Sequence, residues 1–466
     1  MLMGEVMPFN QYSCILIGVV SFAFISSAIS APIRPNDDPT DLVGELKVRS
    51  IFEMDSRGLK KASLSHAPWA GDYWPHIHGG IARRYADENY SRLPDWRSKV
   101  NYILNVDLPM LSSEKLSPRL SPAEKYDYLV GDSRKTLTRS VLQGVMNYSS
   151  EYGLESWVGI CDGWSVASIR EGRPKHSIIV RAADNQTDIK FFPADIKALA
   201  SLMWKKALPR QKIIGGVCKE INPATDRNGR VLNPDCFDTN PGTWHLAAVN
   251  QLGVKKKSFI FDSAPGHEIW NQPLFSYEYN YFNPQMGLAA VKKLEDAVIP
   301  LSEYSNDKFR SYRTDRDVHF VVGVHMKIVY IKEPPVSLPI DKDIKEKKDK
   351  YEAEYYYDLE LDEYGKILGG EWHSKLHPDF LWLPGEEVEP DSMGDKLLTM
   401  NHDTAQWSCV RNNPIPASWQ AVIPESSSRG QPLKRIVRQL IRESRSLSLF
   451  DSCSTSFYDP DLYMKK

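Results

Sequence analysis

The sequence predicts an α+β fold. In it a cysteine at a helix N-terminus packs on an antiparallel sheet, with extensions before and after that core. Three observations predict this. Cys161 follows Gly159-Ile160 and opens a run whose Trp164, Ala167 and Ile169 would bury one helix face. Downstream, Val318, Phe320, Val322, Val324, Met326, Ile328 and Tyr330 are apolar at every second position, as in a half-buried strand. The chain has 466 residues, more than one core usually organises, so a core of roughly 200–250 residues plus extensions is expected.

Composition and targeting bound the rest. A net charge of −2 gives no reason to expect nucleic acid as a partner. Cys14 to Ile29 is a short apolar run followed by Ala28 and Ser30 at a plausible cleavage site, so residues 1–30 read as a signal peptide. The segment before it carries Glu5 and no Lys or Arg, which leaves an N-terminal membrane anchor as the alternative. No later stretch is apolar enough to span a bilayer, so no stable membrane insertion is expected after cleavage. The expected divisions are 1–30, an N-terminal segment 31–115, a catalytic core 116–385 and a C-terminal extension 386–466. Cleavage leaves five cysteines, and an oxidising compartment would pair four. Three pairings exist. The neighbour pattern, Cys218–Cys236 and Cys409–Cys453, leaves Cys161 as the free thiol.

Local signals place the elements. Ser121-Pro122-Ala123-Glu124 is a capping box with proline at the first helical position. A second helix is expected over 134–149 and the Cys161 helix runs to about Arg170, before Gly172 and Pro174. Strands at 177–181 and 189–192 flank the Asp184-Asn185 turn, and a helix covers 194–206. Residues 243–263 read as a hairpin about Gly253-Val254. Strands at 355–361 and 366–372 flank Glu363-Tyr364-Gly365, and the charged run 341–354 reads as a solvated excursion. Residues 432–445 form a basic amphipathic helix with Ile436, Leu440 and Ile441 inward. Its arginines are a wet face or, alternatively, an acidic-surface binder.

The chemistry rests on Cys161, His245 and Asp262. A helix terminus favours the thiolate, the nucleophilic form. In the hairpin register set by Gly253-Val254, His245 lies directly across from Asp262, with Cβ atoms about 4.5–5.5 Å apart. Asp262 would then hold the imidazole while its other nitrogen faces the thiol. A slip of one residue would break this pairing. The indole N–H of Trp157 or Trp244 could complete an oxyanion site, or either ring could simply pack a wall. Other histidines compete less well. His176 stands at a strand entry. His319 and His325 are on a polar strand face. His76 and His78 lie in a Trp-rich loop, and His373 with His377 is a weak zinc pair.

These residues carry a family resemblance. Glu268-Ile269-Trp270-Asn271-Gln272-Pro273 resembles the elicitor peptide of oomycete cell-wall transglutaminases, whose Val-Trp-Asn-Gln-Pro core is recognised by plant immunity. Gly159-Ile160-Cys161-Asp162-Gly163-Trp164, Asn240-Pro241-Gly242-Thr243-Trp244-His245, Phe261-Asp262, and Gly369-Gly370-Glu371-Trp372 with His377-Pro378-Asp379-Phe380 are similar to that family in the same order, over roughly residues 65–385. The continuation Leu274-Phe275-Ser276 departs from the basic, glycine-containing one of the elicitor. The resemblance implies a papain-like, transglutaminase-like core with Cys161 as nucleophile, His245 as acid and base, and Asp262 as its orienter. It also implies calcium, on which such enzymes often depend, as a candidate cofactor. No calcium site can be placed, since Asp226, Asn228, Asp235 and Asp238 lack the spacing of an EF-hand. The expected function is a secreted or periplasmic protein-glutamine γ-glutamyltransferase acting on proteins that bear Gln and on Lys or small amines. A cysteine protease or glutamine deamidase using the same residues is one alternative. A non-enzymatic secreted binding protein is another.

Overall fold

Ser121 Oγ accepts the N–H of Glu124 at 3.2 Å and Glu124 Oε2 takes the N–H of Ser121 at 3.2 Å, the reciprocal box that starts the helix Pro122–Leu129. Glu124 is also held by Arg84, whose Nε donates to it at 2.7 Å, so the cap is tied to the Trp69–Tyr85 stretch. The computed structural model describes residues 33–105, 117–153, 155–208, 212–218, 220, 222–226, 230–263, 265–313, 317–336, 338–344 and 349–446, with the backbone alone for 149–152. The signal-peptide segment expected at 1–30 lies outside them, as does Cys453.

The helices Thr136–Tyr152, Cys161–Arg170 and Pro193–Ala207 form where their periodicity predicts them. With the C-terminal helices Met393–Met400, Ala417–Ser427 and Lys434–Arg445 they enclose one apolar core around Trp69, Trp74, Tyr126, Trp164, Trp204 and Trp419. Ile436, Leu440 and Ile441 are buried as expected. The arginines of that last helix pair within the chain: Arg435 with Asp403 at 2.8 Å, and Arg438 with Glu171 and Glu389, each at 2.9 Å. Those two side chains are therefore occupied at home.

The strands are β1 (Lys61–Ser63), β2 (Ile178–Arg181), β3 (Asp188–Phe191), β4 (Ile214–Gly215), β5 (Ile260–Phe261), β6 (Gln272–Phe282), β7 (Ala290–Val291), β8 (Val298–Pro300), β9 (Phe320–Ile331), β10 (Lys350–Leu361), β11 (Ile367–Trp372) and β12 (Phe380–Trp382). Strands β2 and β3 pair alone. The rest form an antiparallel sheet in the order β11-β10-β9-β6-β5-β12-β4, with β1 and β7 on β6 and β8 on β9. Its inner face carries a second apolar core around Trp244, Phe261, Tyr279, Tyr355, Tyr357 and Trp372. The charged run expected as an excursion is already strand from Lys350. Mixed helices packed on an antiparallel sheet are the predicted fold class.

One expectation fails. Residues 243–263 are not a hairpin: Pro241–Ala247 is an α-helix, Ala248–Val254 continues it as a π-helix, and only Ile260–Phe261 is strand. Asn240 caps this helix, its Oδ1 accepting the N–H of Gly242 at 2.8 Å, and Pro241 fills the first helical position. Those two start signals, with apolar residues buried on every side of the helix, outweigh the turn propensity of Gly253. His245 is therefore not across from Asp262.

The Cys161 helix lies unusually close to Pro193–Ala207. A Cβ on Gly163 would sit 2.3 Å from the Ser201 carbonyl oxygen and 2.7 Å from Lys205 Cβ. Gly163→Ala is expected to push the helices apart and destabilise the chain by about 1–3 kcal/mol, read as a lower urea midpoint at unchanged slope.

Candidate active site

Cys161 is the first residue of its helix, and the preceding chain is fastened to the aromatic stretch: Ile160 N–H donates to the Tyr73 carbonyl at 2.7 Å and His76 N–H to Val158 at 2.8 Å. The sulfur lies under the segment 268–271. Asn271 Nδ2 donates to Cys161 Sγ at 3.3 Å, and the thiol lies 3.9 Å from the Ile269 carbonyl. Asn271 is held in turn by the Trp382 indole, which donates to its Oδ1 at 2.7 Å. The covering segment is pinned by Asp262, whose Oδ2 accepts the Trp270 N–H at 2.9 Å, and by Trp270 packing edge-on to Tyr73 at 5.3 Å. Burial pushes the Cys161 thiol up to about 12, with Asp162 and Glu333 adding to the rise and Asn271 and Lys205 opposing it. The helix terminus does not yield a resting thiolate.

The three expected catalytic residues are not brought together. Asp262 joins the Cys161 neighbourhood through Trp270 and Asn271. His245 does not. Its ring is buried in the second core beside Tyr279 and Tyr357, Nδ1 meets Tyr357 Oη at 2.8 Å, and Nε2 has no partner. Burial alone moves its pKa, down to about 3, and no charged group acts on it. The failed hairpin is the reason: a helical His245 points into the sheet rather than across a strand pair. Trp244 is fully buried against Phe259, Phe261 and Tyr355, and its indole N–H has no hydrogen-bond partner. Trp157 stays a candidate. It is half-buried just before the Cys161 helix, and its indole N–H has no partner.

Sequence reasoning missed a group of buried carboxyls. Glu333 follows β9 and is buried; burial, with a smaller contribution from Asp262, pushes its pKa up to about 8, and its backbone, the Gln272 amide and Lys332 oppose the rise. The pKa of Asp379 is raised well above the usual carboxylate range, first by burial and then by Asp238 and Asp262. One buried imidazole–carboxylate pair is His377 Nε2 with Asp238 Oδ2 at 2.7 Å, its ring stacked on Trp372. His373 goes instead to Asp358, so the two do not share a metal. Asn271 stood in the elicitor-like motif, but nothing in its spacing marked it as the sulfur's partner. Glu333 had no signal beyond preceding Pro334-Pro335.

Cys218–Cys236 is a disulfide and Cys409 is also disulfide-bonded; Cys161 is the free cysteine among the described residues. Among the described residues no three His, Cys, Asp or Glu side chains are placed to hold a metal. In the acidic loop Asp226 accepts from the Tyr312 hydroxyl and Asp238 pairs with His377, and Asn228 lies outside the described residues. No helix among the described residues is long and apolar enough to cross a membrane.

Asn271, which immediately precedes β6, thus holds the sulfur of a free cysteine that opens a helix. The transglutaminase elicitor family matches residues 46–398, and the chain belongs to that family. Its fold is similar to the crystal structure of the GP42 transglutaminase from Phytophthora sojae, at 20% identity and a TM-score of 0.52, over 86% of this chain and 99% of that one. A comparison with curated proteins finds no match.

The buried His245 ring is expected to stay neutral throughout pH 5–8. The stability it carries is intact above about 6.5, the ordinary histidine value, and declines as pH falls towards its folded value of about 3. Ring-proton NMR, assigned with His245→Asn, checks this; a resonance titrating near 6.5 would contradict it.

Proposed function

We propose that the chain is a transglutaminase-type acyltransferase that uses Cys161 as its nucleophile. The supporting observation is the Asn271 amide donating to a free thiol at a helix N-terminus, in a chain of the transglutaminase elicitor family. Cys161 Sγ attacks the side-chain amide carbon of a protein glutamine, ammonia leaves, and a primary amine such as a lysine resolves the thioester into an isopeptide bond. Asn271, fixed by Trp382, orients the sulfur, and the free Trp157 indole N–H is the candidate oxyanion donor. The disulfide at Cys218–Cys236 fits an oxidising compartment and so a secreted or periplasmic site of action.

Access requires the 268–271 segment to move, because Cys161 is only 7% exposed beneath it. That closure also favours a second reading, a recognition module that presents the half-buried Trp270 loop and performs no catalysis.

Incorporation of a labelled primary amine into a glutamine-rich protein, with and without added calcium, separates the two. The wild type should label the acceptor and release ammonia, and Cys161→Ala should lower labelling at least a hundredfold. Equal labelling by Cys161→Ala removes Cys161 from the chemistry. No labelling by the wild type under either condition supports the recognition module, unless the acceptor is cut or gains Glu, which marks a hydrolase.

A further inference from the structure

The helix Thr136–Tyr152, the end of the helix Pro193–Ala207 and Ser428 border an open groove of about 580 Å³. Small-molecule clefts span roughly 300–1,000 Å³. No acidic, aliphatic or aromatic residue lines this one. Its two cations are Arg139 and Lys206, and neither has a carboxylate partner among the described residues. The cations around them do: Lys205 pairs with Asp162 at 2.6 Å, Arg429 with Glu425 at 2.8 Å, and Lys434 with Asp391. Arg139 uses only Nε, which donates to the Arg134 carbonyl at 2.9 Å, so its two terminal nitrogens are left for a ligand.

Two glycines shape the groove. Gly144 stands in mid-helix, where glycine weakens a helix relative to alanine. A Cβ there would meet nothing within 4 Å, so packing does not require the glycine, whereas an open floor does. Gly430, at φ +69°, lies against Lys206: a Cβ on it would stand 3.1 Å from Lys206 Cε and 3.3 Å from Nζ. The lysine stem thus rests on backbone at the groove wall. Between the cations the lining is polar and neutral. Thr136, Ser140 and Ser428 bring hydroxyls, and Gln143 and Asn147 bring amides. The groove leads toward the thiol side of the molecule. Tyr148, next to Asn147, packs edge-on to His76 at 5.5 Å, and the His76 N–H donates to Val158 ahead of the Cys161 helix.

We propose that this groove binds an acidic saccharide, a glycan that carries carboxylate or sulfate groups. The site goes beyond the acyltransferase reading and does not depend on it. Arg139 and Lys206 meet the anionic groups, Arg139 with a planar fork that fits a carboxylate or sulfate through two parallel hydrogen bonds. Hydroxyls and amides can each donate and accept, which matches a run of sugar hydroxyls. An acidic peptide fits less well, because the groove has no apolar pocket for its side chains. A single-stranded nucleic acid binds by stacking its bases on aromatic rings, and none lines the groove.

Calorimetric titration of the full chain at low salt tests this with four probes: an oligogalacturonide, a heparin oligosaccharide, a neutral dextran oligosaccharide and a polyglutamate peptide. The wild type should bind at least one of the two acidic saccharides, with the dextran silent, and added salt should weaken the binding. A response to the oligogalacturonide marks carboxylate as the recognised group, and a response to heparin marks sulfate. The double variant Arg139→Gln, Lys206→Gln should raise Kd at least tenfold, about 1.4 kcal/mol. Gly144→Gln keeps both charges and favours the helix, so it should fold with an unchanged or higher Tm while its side chain fills the floor and raises Kd to a similar extent. Failure of the wild type to bind either acidic saccharide overturns the proposal. So does a Kd that neither variant changes, or tighter binding of polyglutamate, which marks a peptide site. The outcome of amine incorporation bears on the acyltransferase reading and leaves this result untouched.

Discussion

Asn271 is the joint on which the site depends. Its amide nitrogen reaches the sulfur of Cys161 on the helical side, and its carbonyl oxygen takes the Trp382 indole from β12 on the sheet side. A side-chain amide can donate and accept at once, and here both functions are used in opposite directions. The Cys161 helix and strand β12 are thereby joined through one side chain at the sulfur. Asp262 secures the arrangement from behind by holding the Trp270 N–H, so the segment that covers the thiol also positions its partner.

Magnitudes decide the state of that sulfur. A helix N-terminus contributes about 0.3–1 kcal/mol toward an anion at an exposed site. The rise of the thiol from 9.0 to about 12 corresponds to about 4 kcal/mol against the thiolate. Desolvation wins several times over, with Asp162 and Glu333 on its side. In this closed form Cys161 rests as a protonated, hydrogen-bonded thiol.

Much of the fold was legible because its signals are local. The Ser121–Glu124 box, the alternation of β9 and the amphipathic Lys434–Arg445 face each declare themselves over a short stretch of chain. Cys161 at a helix start was legible for the same reason. The site was not, because its contacts are remote in sequence: Cys161 to Asn271 spans 110 residues and Asn271 to Trp382 spans 111. The hairpin expectation shows the hazard. Gly253-Val254, read as a two-residue turn, sets a hairpin register, and His245 opposite Asp262 follows from that register alone. Asn240 and Pro241, a cap and a helix-starting proline, carried the stronger information. Glu333 was invisible because a lone glutamate before two prolines looks like surface until burial is known.

The most direct measurement is capture of the covalent intermediate. The full chain is mixed with a glutamine-containing peptide in the absence of amine, quenched in acid, and read by peptide mass spectrometry. The account predicts a thioester on Cys161, equal to the added peptide less one ammonia, that disappears when a primary amine is supplied before the quench. An adduct on any other residue, or amine transfer proceeding with Cys161 unmodified at every time point, would contradict it.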